Sequence, residues 1–158
     1  MPSTYSQIAT NTLGSTATSV TFSSIPQTYT NLVVIFNGTG VSGDTLYYQY
    51  NNNTSAIYSD TYMFADGTAG SGRHTNQGAI FGTGVNSTNT TNIIHIAQYA
   101  NTTTFKTSLL RGGANGTAAA AAFVGLWRST DAINSIKLNL NVGFAAGSVF
   151  SLYGIKGA

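Results

Sequence analysis

The sequence predicts an all-β, jelly-roll-like two-sheet β-sandwich, and three observations carry that prediction. Only ten of 158 residues are charged, six Lys or Arg and four Asp, with no Glu; a long helix normally exposes Glu, Lys and Arg in numbers this chain lacks. Polarity comes instead from Asn, Thr, Ser and Gly, set among Val, Ile, Tyr and Phe, the composition of strands joined by turns. The last 24 residues, Ser135 to Ala158, contain two strand patterns and little else. There Ile136, Leu138, Leu140 and Val142 alternate with Lys137, Asn139 and Asn141, and Val149 to Ile155 forms a second apolar run.

Taken in order, the first strands fall at Tyr5 to Thr12 and Thr18 to Ser23, separated by Leu13, Gly14 and Ser15. Val20 and Phe22 alternate with Thr21, so the second strand has one buried face. Pro26 lacks an amide donor and holds Ile25 extended, which turns a corner between Ser24 and Tyr29. Asn31 to Asn37 is apolar on both faces, as a central strand covered on each side would be.

Gly38 to Gly43 reads as a loop, and Thr45 to Tyr50 as the first arm of a Tyr-rich hairpin. Asn51 to Ser55 is its turn and Ala56 to Phe64 its second arm. Ala65 to Asn76 is rich in glycine and polar residues and is expected to be a mobile surface loop. Strands follow at Gln77 to Phe81, Thr91 to Tyr99 and Thr104 to Arg111.

Ala118 to Ala122 is a run of five alanines and the one place where propensity favours helix. Glycines precede it at Gly112, Gly113 and Gly116, and the apolar residues after it lack helical spacing, so it reads as a strand or extended arm. A turn at Ser129 to Asp131 leads into the closing strands, which makes about ten in all, at sandwich spacing. The match between Gly38-Thr39-Gly40-Val41 and Gly82-Thr83-Gly84-Val85 is too short for a repeat, and both are read as loops.

The length suits a single domain spanning residues 1–158. The net charge of +2 arises from cations scattered singly, which argues against nucleic acid. No apolar run is long enough for a helical membrane span and no basic-then-apolar segment opens the sequence, so a soluble protein without membrane insertion is expected. Cysteine is absent, which removes disulfides and thiolate metal sites. So few charges leave little repulsion between copies, which favours ordered self-association.

Catalytic signatures are weak. His74 falls in the glycine-rich stretch beside Arg73 and reads as a solvated loop imidazole; His95, between Ile94 and Ile96, reads as a residue of a wet strand face or interface. Asp44, Asp66 and Asp131 lie next to turn signals where a carboxylate bonds nearby amides, and Asp60 lies apart from them. Gly67 to Gly72 lacks the Lys-Ser/Thr ending and following helix of a phosphate loop. No metal, cofactor or enzymatic activity is expected. Asn-x-Ser/Thr triplets at Asn37, Asn86, Asn89, Asn101 and Asn115 follow from the abundance of Asn and Thr.

Five of nine tyrosines lie between Tyr47 and Tyr62. Tyr48 and Tyr50 share one strand face, and Tyr58, Tyr62 and Phe64 share another, so the hairpin can gather an aromatic cluster. Such a cluster packs a core, builds an interface between copies, or binds a glycan. Tyr47, Tyr48, Tyr50, Tyr58, Tyr62 and Trp127 are therefore the candidate interface or glycan-contact aromatics, and Asp66, Arg73 and His74 the candidate partner-contacting loop.

Three segments resemble small all-β virion proteins of phages, common in cyanophages and marine phages. The first is Ile8-Ala9-Thr10, Leu13-Gly14-Ser15 and Ser19 to Pro26 with Thr28 to Leu32; the second Trp127 to Thr130 with Ala132 to Ile136; the third Phe144 to Ser148 with Leu152 to Ile155. The resemblance implies a jelly-roll-like sandwich on a virion, often a homotrimer, made in the host cytoplasm and contacting the major capsid protein or other virion proteins. It carries no enzymatic residues. The expected function is a capsid decoration or cement protein; the alternative is a tail or fibre receptor-binding module that recognises host glycans through Tyr47, Tyr58, Tyr62 or Trp127. The stretch from Gly38 to Ala122 has no counterpart in the resemblance, so specificity is expected there.

Overall fold

The computed structural model describes residues 4–65, 67–114 and 120–157. They form twelve strands: β1 (Tyr5–Thr12), β2 (Ala17–Phe22), β3 (Asn31–Gly38), β4 (Asp44–Tyr50), β5 (Tyr58–Ala65), β6 (Ala69–Gln77), β7 (Ile80–Val85), β8 (Thr90–Ile96), β9 (Lys106–Ala114), β10 (Ala120–Trp127), β11 (Ile136–Phe144) and β12 (Val149–Ile155). An eight-stranded sheet runs β1-β12-β3-β8-β9-β10-β5-β6, and a four-stranded sheet runs β2-β11-β4-β7. Every pairing between named strands is antiparallel. The expected all-β, jelly-roll-like two-sheet sandwich is what forms, with two strands more than expected.

The alternating residues of the two sheets make one core. Leu32, Val34 and Phe36 of β3 face Leu138, Leu140 and Phe144 of β11, all fully buried. Phe36, Phe144 and Phe150 form a triad with centroids 4.9 to 5.2 Å apart. Val33, on the opposite face of β3, is also buried, as a strand apolar on both faces requires. β12 lies inside the large sheet between β1 and β3, so the last strand belongs to the fold.

Three local expectations are corrected. Thr45 to Tyr50 and Ala56 to Phe64 do not form a hairpin: β4 pairs with β11 and β7 in the small sheet, and β5 with β10 and β6 in the large one. Asn51 and Asn52 take left-handed backbone angles (φ 54° and 52°), and the chain crosses between the sheets there. Asn51 fixes this crossing: its Nδ2 donates to Ala132 O at 2.8 Å, and its Oδ1 accepts Asn134 N at 2.8 Å and Ser135 N at 3.2 Å. The closing strands β11 and β12 likewise belong to opposite sheets.

The stretch expected as a mobile loop at Ala65 to Asn76 is instead mostly strand β6, paired with β5. Its glycines are the reason. Gly70 and Gly72 lie beneath the rings of Phe64 and Tyr62, where a Cβ would stand 2.5 and 2.6 Å from ring or hydroxyl atoms; aromatic cover of this kind stabilises glycine in a strand. The second Gly-Thr-Gly-Val segment, expected as a loop, lies in β7. β10 confirms the alanine run as strand from Ala120 onward, while Ala118 and Ala119 lie outside the described residues.

Candidate ligand-binding cleft

The two sheets differ in width, and this difference creates the site. β7 is an edge of the small sheet and packs against β9, β10 and β5 of the large one. The outer part of the large sheet, ending in β6, therefore projects past that edge. The space under the overhang is an open cleft of about 620 Å³, within the range of roughly 300–1,000 Å³ for small-molecule sites. Tyr62, Phe64, His74 and Phe123 line it from the large sheet, and Thr45, Phe81, Thr83 and Asn86 from the small-sheet side.

The β5–β6 hairpin turns about Gly67, whose φ of 103° suits glycine. Asp60 and His74 are equidistant from that turn and stand opposite each other in register. His74 Nδ1 lies 2.7 Å from Asp60 Oδ1, and Phe81 N donates to Asp60 Oδ2 at 3.2 Å. With the carboxylate accepting, Nδ1 carries the proton and Nε2 is the ring's other polar atom. The Asp60 side chain is fully enclosed, while that of His74 is 31% exposed.

Aromatic rings hold the imidazole in place. His74 stacks on Phe81 with centroids 4.1 Å apart and planes at 17°, and on Tyr62 at 5.2 Å and 21°. Tyr62 stacks in turn on Phe123 at 5.1 Å, and Tyr47 meets Phe81 edge-on at 4.8 Å. Phe64, lying across Gly70 at the cleft mouth, keeps 40% of its surface exposed.

Charge is nearly absent. Asp44 is the only acidic residue among the described lining residues, and its oxygens accept from the amides of Thr45, Asn141 and Val142. Behind the wall, Thr83 Oγ1 donates to Asn92 Oδ1 at 2.5 Å. Asn92 is fully buried, and its Nδ2 has no protein acceptor among the described residues. No group of three or more His, Asp or Glu side chains is placed to hold a metal among the described residues.

The aromatic candidates divide. Tyr48, Tyr50, Tyr58 and Trp127 are fully buried in the core, so they contact neither a glycan nor a partner chain. Trp127 stacks on Tyr58 at 6.2 Å with planes 16° apart and meets Tyr50 at 5.5 Å. The cause is the placement of β4 and β10 in opposite sheets, which turns both sets of rings inward. Tyr62 lines the cleft, and Tyr47 supports Phe81 from the neighbouring strand.

The proposed partner loop also divides. Arg73 is exposed opposite Thr61, whereas His74 points the other way, into the cleft, so the two are not one site. Asp66 lies outside the described residues. His74 is no solvated loop residue but a stacked, hydrogen-bonded one. Asp60 as the partner of His74, Phe81 and Phe123 were missing from the candidate set; reading Gly67 as a hairpin turn would have placed Asp60 opposite His74.

No family model matches the chain, and no curated protein matches it. Among solved structures it is similar to a tetrameric galectin from the ball sponge Cinachyrella sp., at 13% identity and a TM-score of 0.37, covering 87% of this chain and 99% of that one. A galectin of Caenorhabditis elegans is similar at 8% identity and a TM-score of 0.36, covering 90% and 94%. A sucrose-6-phosphate hydrolase from Lactobacillus gasseri is similar at 12% identity and 0.37, covering 89% of this chain and 28% of that one. The chain is, by its own strand order, an antiparallel two-sheet β-sandwich with an open aromatic cleft at one edge.

Proposed function

We propose that this chain is a non-catalytic phage virion protein, a decoration or cement domain that works by attachment to copies of itself and to the capsid shell. The observation that supports this reading is the outer face of the eight-stranded sheet. Val124 of β10 lies opposite Leu109 of β9, which lies opposite His95 of β8, and the row ends at the buried Val33 of β3. In the adjacent row Met63, Ala122, Arg111, Ile93 and Ile35 stand side by side.

Val124, Leu109 and Met63 are 55%, 42% and 65% exposed and stand on neighbouring strands of one sheet face, within an exposed apolar set that also includes Tyr5, Val41, Phe64, Phe105 and Val142. Contiguous apolar surface of this kind marks an interaction face. His95 sits within it, its pKa lowered by burial and then by the Arg111 guanidinium, so the neutral form that suits an apolar interface is favoured. Binding only the assembled lattice stabilises the closed shell by mass action. The Asp60–His74 pair is accounted for by packing, since both ring faces of His74 are occupied.

The test combines light scattering of the purified protein with its abundance in purified virions. The wild type is expected to form a closed oligomer, a trimer in this reading, and to approach the major capsid protein in copy number. Val124→Lys with Leu109→Lys is expected to give a folded monomer that no longer occupies particles. A monomeric wild type, or full occupancy by the doubly substituted protein, overturns the proposal.

A further inference from the structure

The geometry points to a binding site for a neutral saccharide in the cleft between Phe64, Tyr62 and His74 of the β5–β6 hairpin and Thr83 to Asn86 at the edge of the small sheet. This site is separate from the apolar outer face and does not depend on it. Three features select the ligand class.

The first is shape and size. A cleft of about 620 Å³, open along the sheet edge, accommodates one or two pyranose rings and leaves room for a chain to continue into solvent. The second is the aromatic floor. Phe64 rests one side on the Gly70 backbone, and its remaining exposed surface lies at the cleft mouth. An aromatic face carries negative quadrupole charge and attracts the weakly positive C–H groups on the apolar face of a sugar. Tyr62, His74, Phe81 and Phe123 stack behind it as a fixed wall, so little side-chain order remains to be imposed on binding.

The third is the polar complement. Thr45 and Asn86 bring neutral polar groups to the opposite wall, Asn86 through its Nδ2, because its Oδ1 accepts from Thr88 N and Oγ1; Thr83 Oγ1, whose proton goes to Asn92, and His74 Nε2 complete the set. The carboxylate of Asp44 is already engaged by three backbone amides, and no Lys or Arg stands among the described lining residues to hold an acidic group. A phosphorylated or carboxylated ligand would lose hydration with no ionic partner in return.

The experiment is saturation-transfer NMR and titration of the full chain with lactose, cellobiose, mannobiose and chitobiose, and with sialyllactose as the charged comparison. At least one neutral disaccharide is expected to bind with a Kd of about 1 mM or tighter. Phe64→Ala and Asn86→Ala are each expected to weaken it roughly tenfold, Phe64→Trp to retain it, and Phe105→Ala, just before the far end of β9, to leave it unchanged. Val124→Lys with Leu109→Lys is expected to leave it unchanged too, which separates this site from the assembly face. The proposal is overturned if none of the neutral disaccharides binds, if only sialyllactose does, or if Phe64→Ala and Asn86→Ala both bind as the wild type does.

Discussion

The hydroxyls of Tyr48 and Ser108 lie 2.8 Å apart across the interior of the sandwich, one on β4 of the small sheet and the other on β9 of the large one. Both residues are buried. The bond therefore ties the two sheets together through a polar contact inside the core.

Tyr48→Phe leaves the Ser108 hydroxyl buried without that partner. A loss of about 1–2 kcal/mol is expected, against a smaller loss for Tyr48→Phe combined with Ser108→Ala, in which neither polar group remains. Urea denaturation of the single and double variants measures the difference.

Alkaline pH should unfold the protein through its buried phenols. Burial raises the pKa values of Tyr48 and Tyr50, and pushes that of Tyr58 up from 10.0 to about 12. Above pH 10 the unfolded chain releases these protons while the folded chain retains them, so stability falls as pH rises. For Tyr58 the loss spreads over pH 10 to about 12. The one tryptophan, Trp127, packs against Tyr50 and Tyr58, so a red shift of its fluorescence across that window reports the transition.

Asp60→Ala removes the acceptor of both His74 Nδ1 and Phe81 N. A destabilisation of about 2–3 kcal/mol is expected, seen as a fall in Tm of roughly 4–12 °C. Asp60→Asn keeps one acceptor oxygen and should cost less. Circular dichroism melts of the two variants rank them.

Lys106 is 1% exposed, and its Nζ donates to Thr104 O at 2.8 Å and Thr130 O at 3.2 Å. Lys106→Ala abandons both carbonyls and leaves a cavity, for an expected loss of about 2–4 kcal/mol. Lys106→Met fills most of the space and should recover part of it. Guanidinium denaturation followed at Trp127 gives both values.

The strands were legible because alternation is a local property. Val20 and Phe22, or Ile136, Leu138 and Leu140, state which face is buried without reference to the rest of the chain, and the structure buries them. The β6 segment was not legible as a strand, because Gly70 and Gly72 carry no side chain and their aromatic cover comes from β5. The left-handed Asn51 and Asn52 look the same in sequence whether they close a hairpin or carry the chain between sheets. That ambiguity misplaced the Tyr-rich arms.

Composition and period-2 alternation are enough to specify an all-β sandwich poor in charge and the face that each regular strand buries. Which sheet each strand joins, and with it which aromatics are buried, is set by pairing between segments distant in the chain. Tyr48, Tyr50, Tyr58 and Trp127 went to the core, while Tyr62, Phe64 and His74 went to an open cleft. The physical reason is that burial of a residue depends on what faces its strand: the large sheet is eight strands wide and the small one four, and rings beneath the overhang have no opposite sheet to cover them.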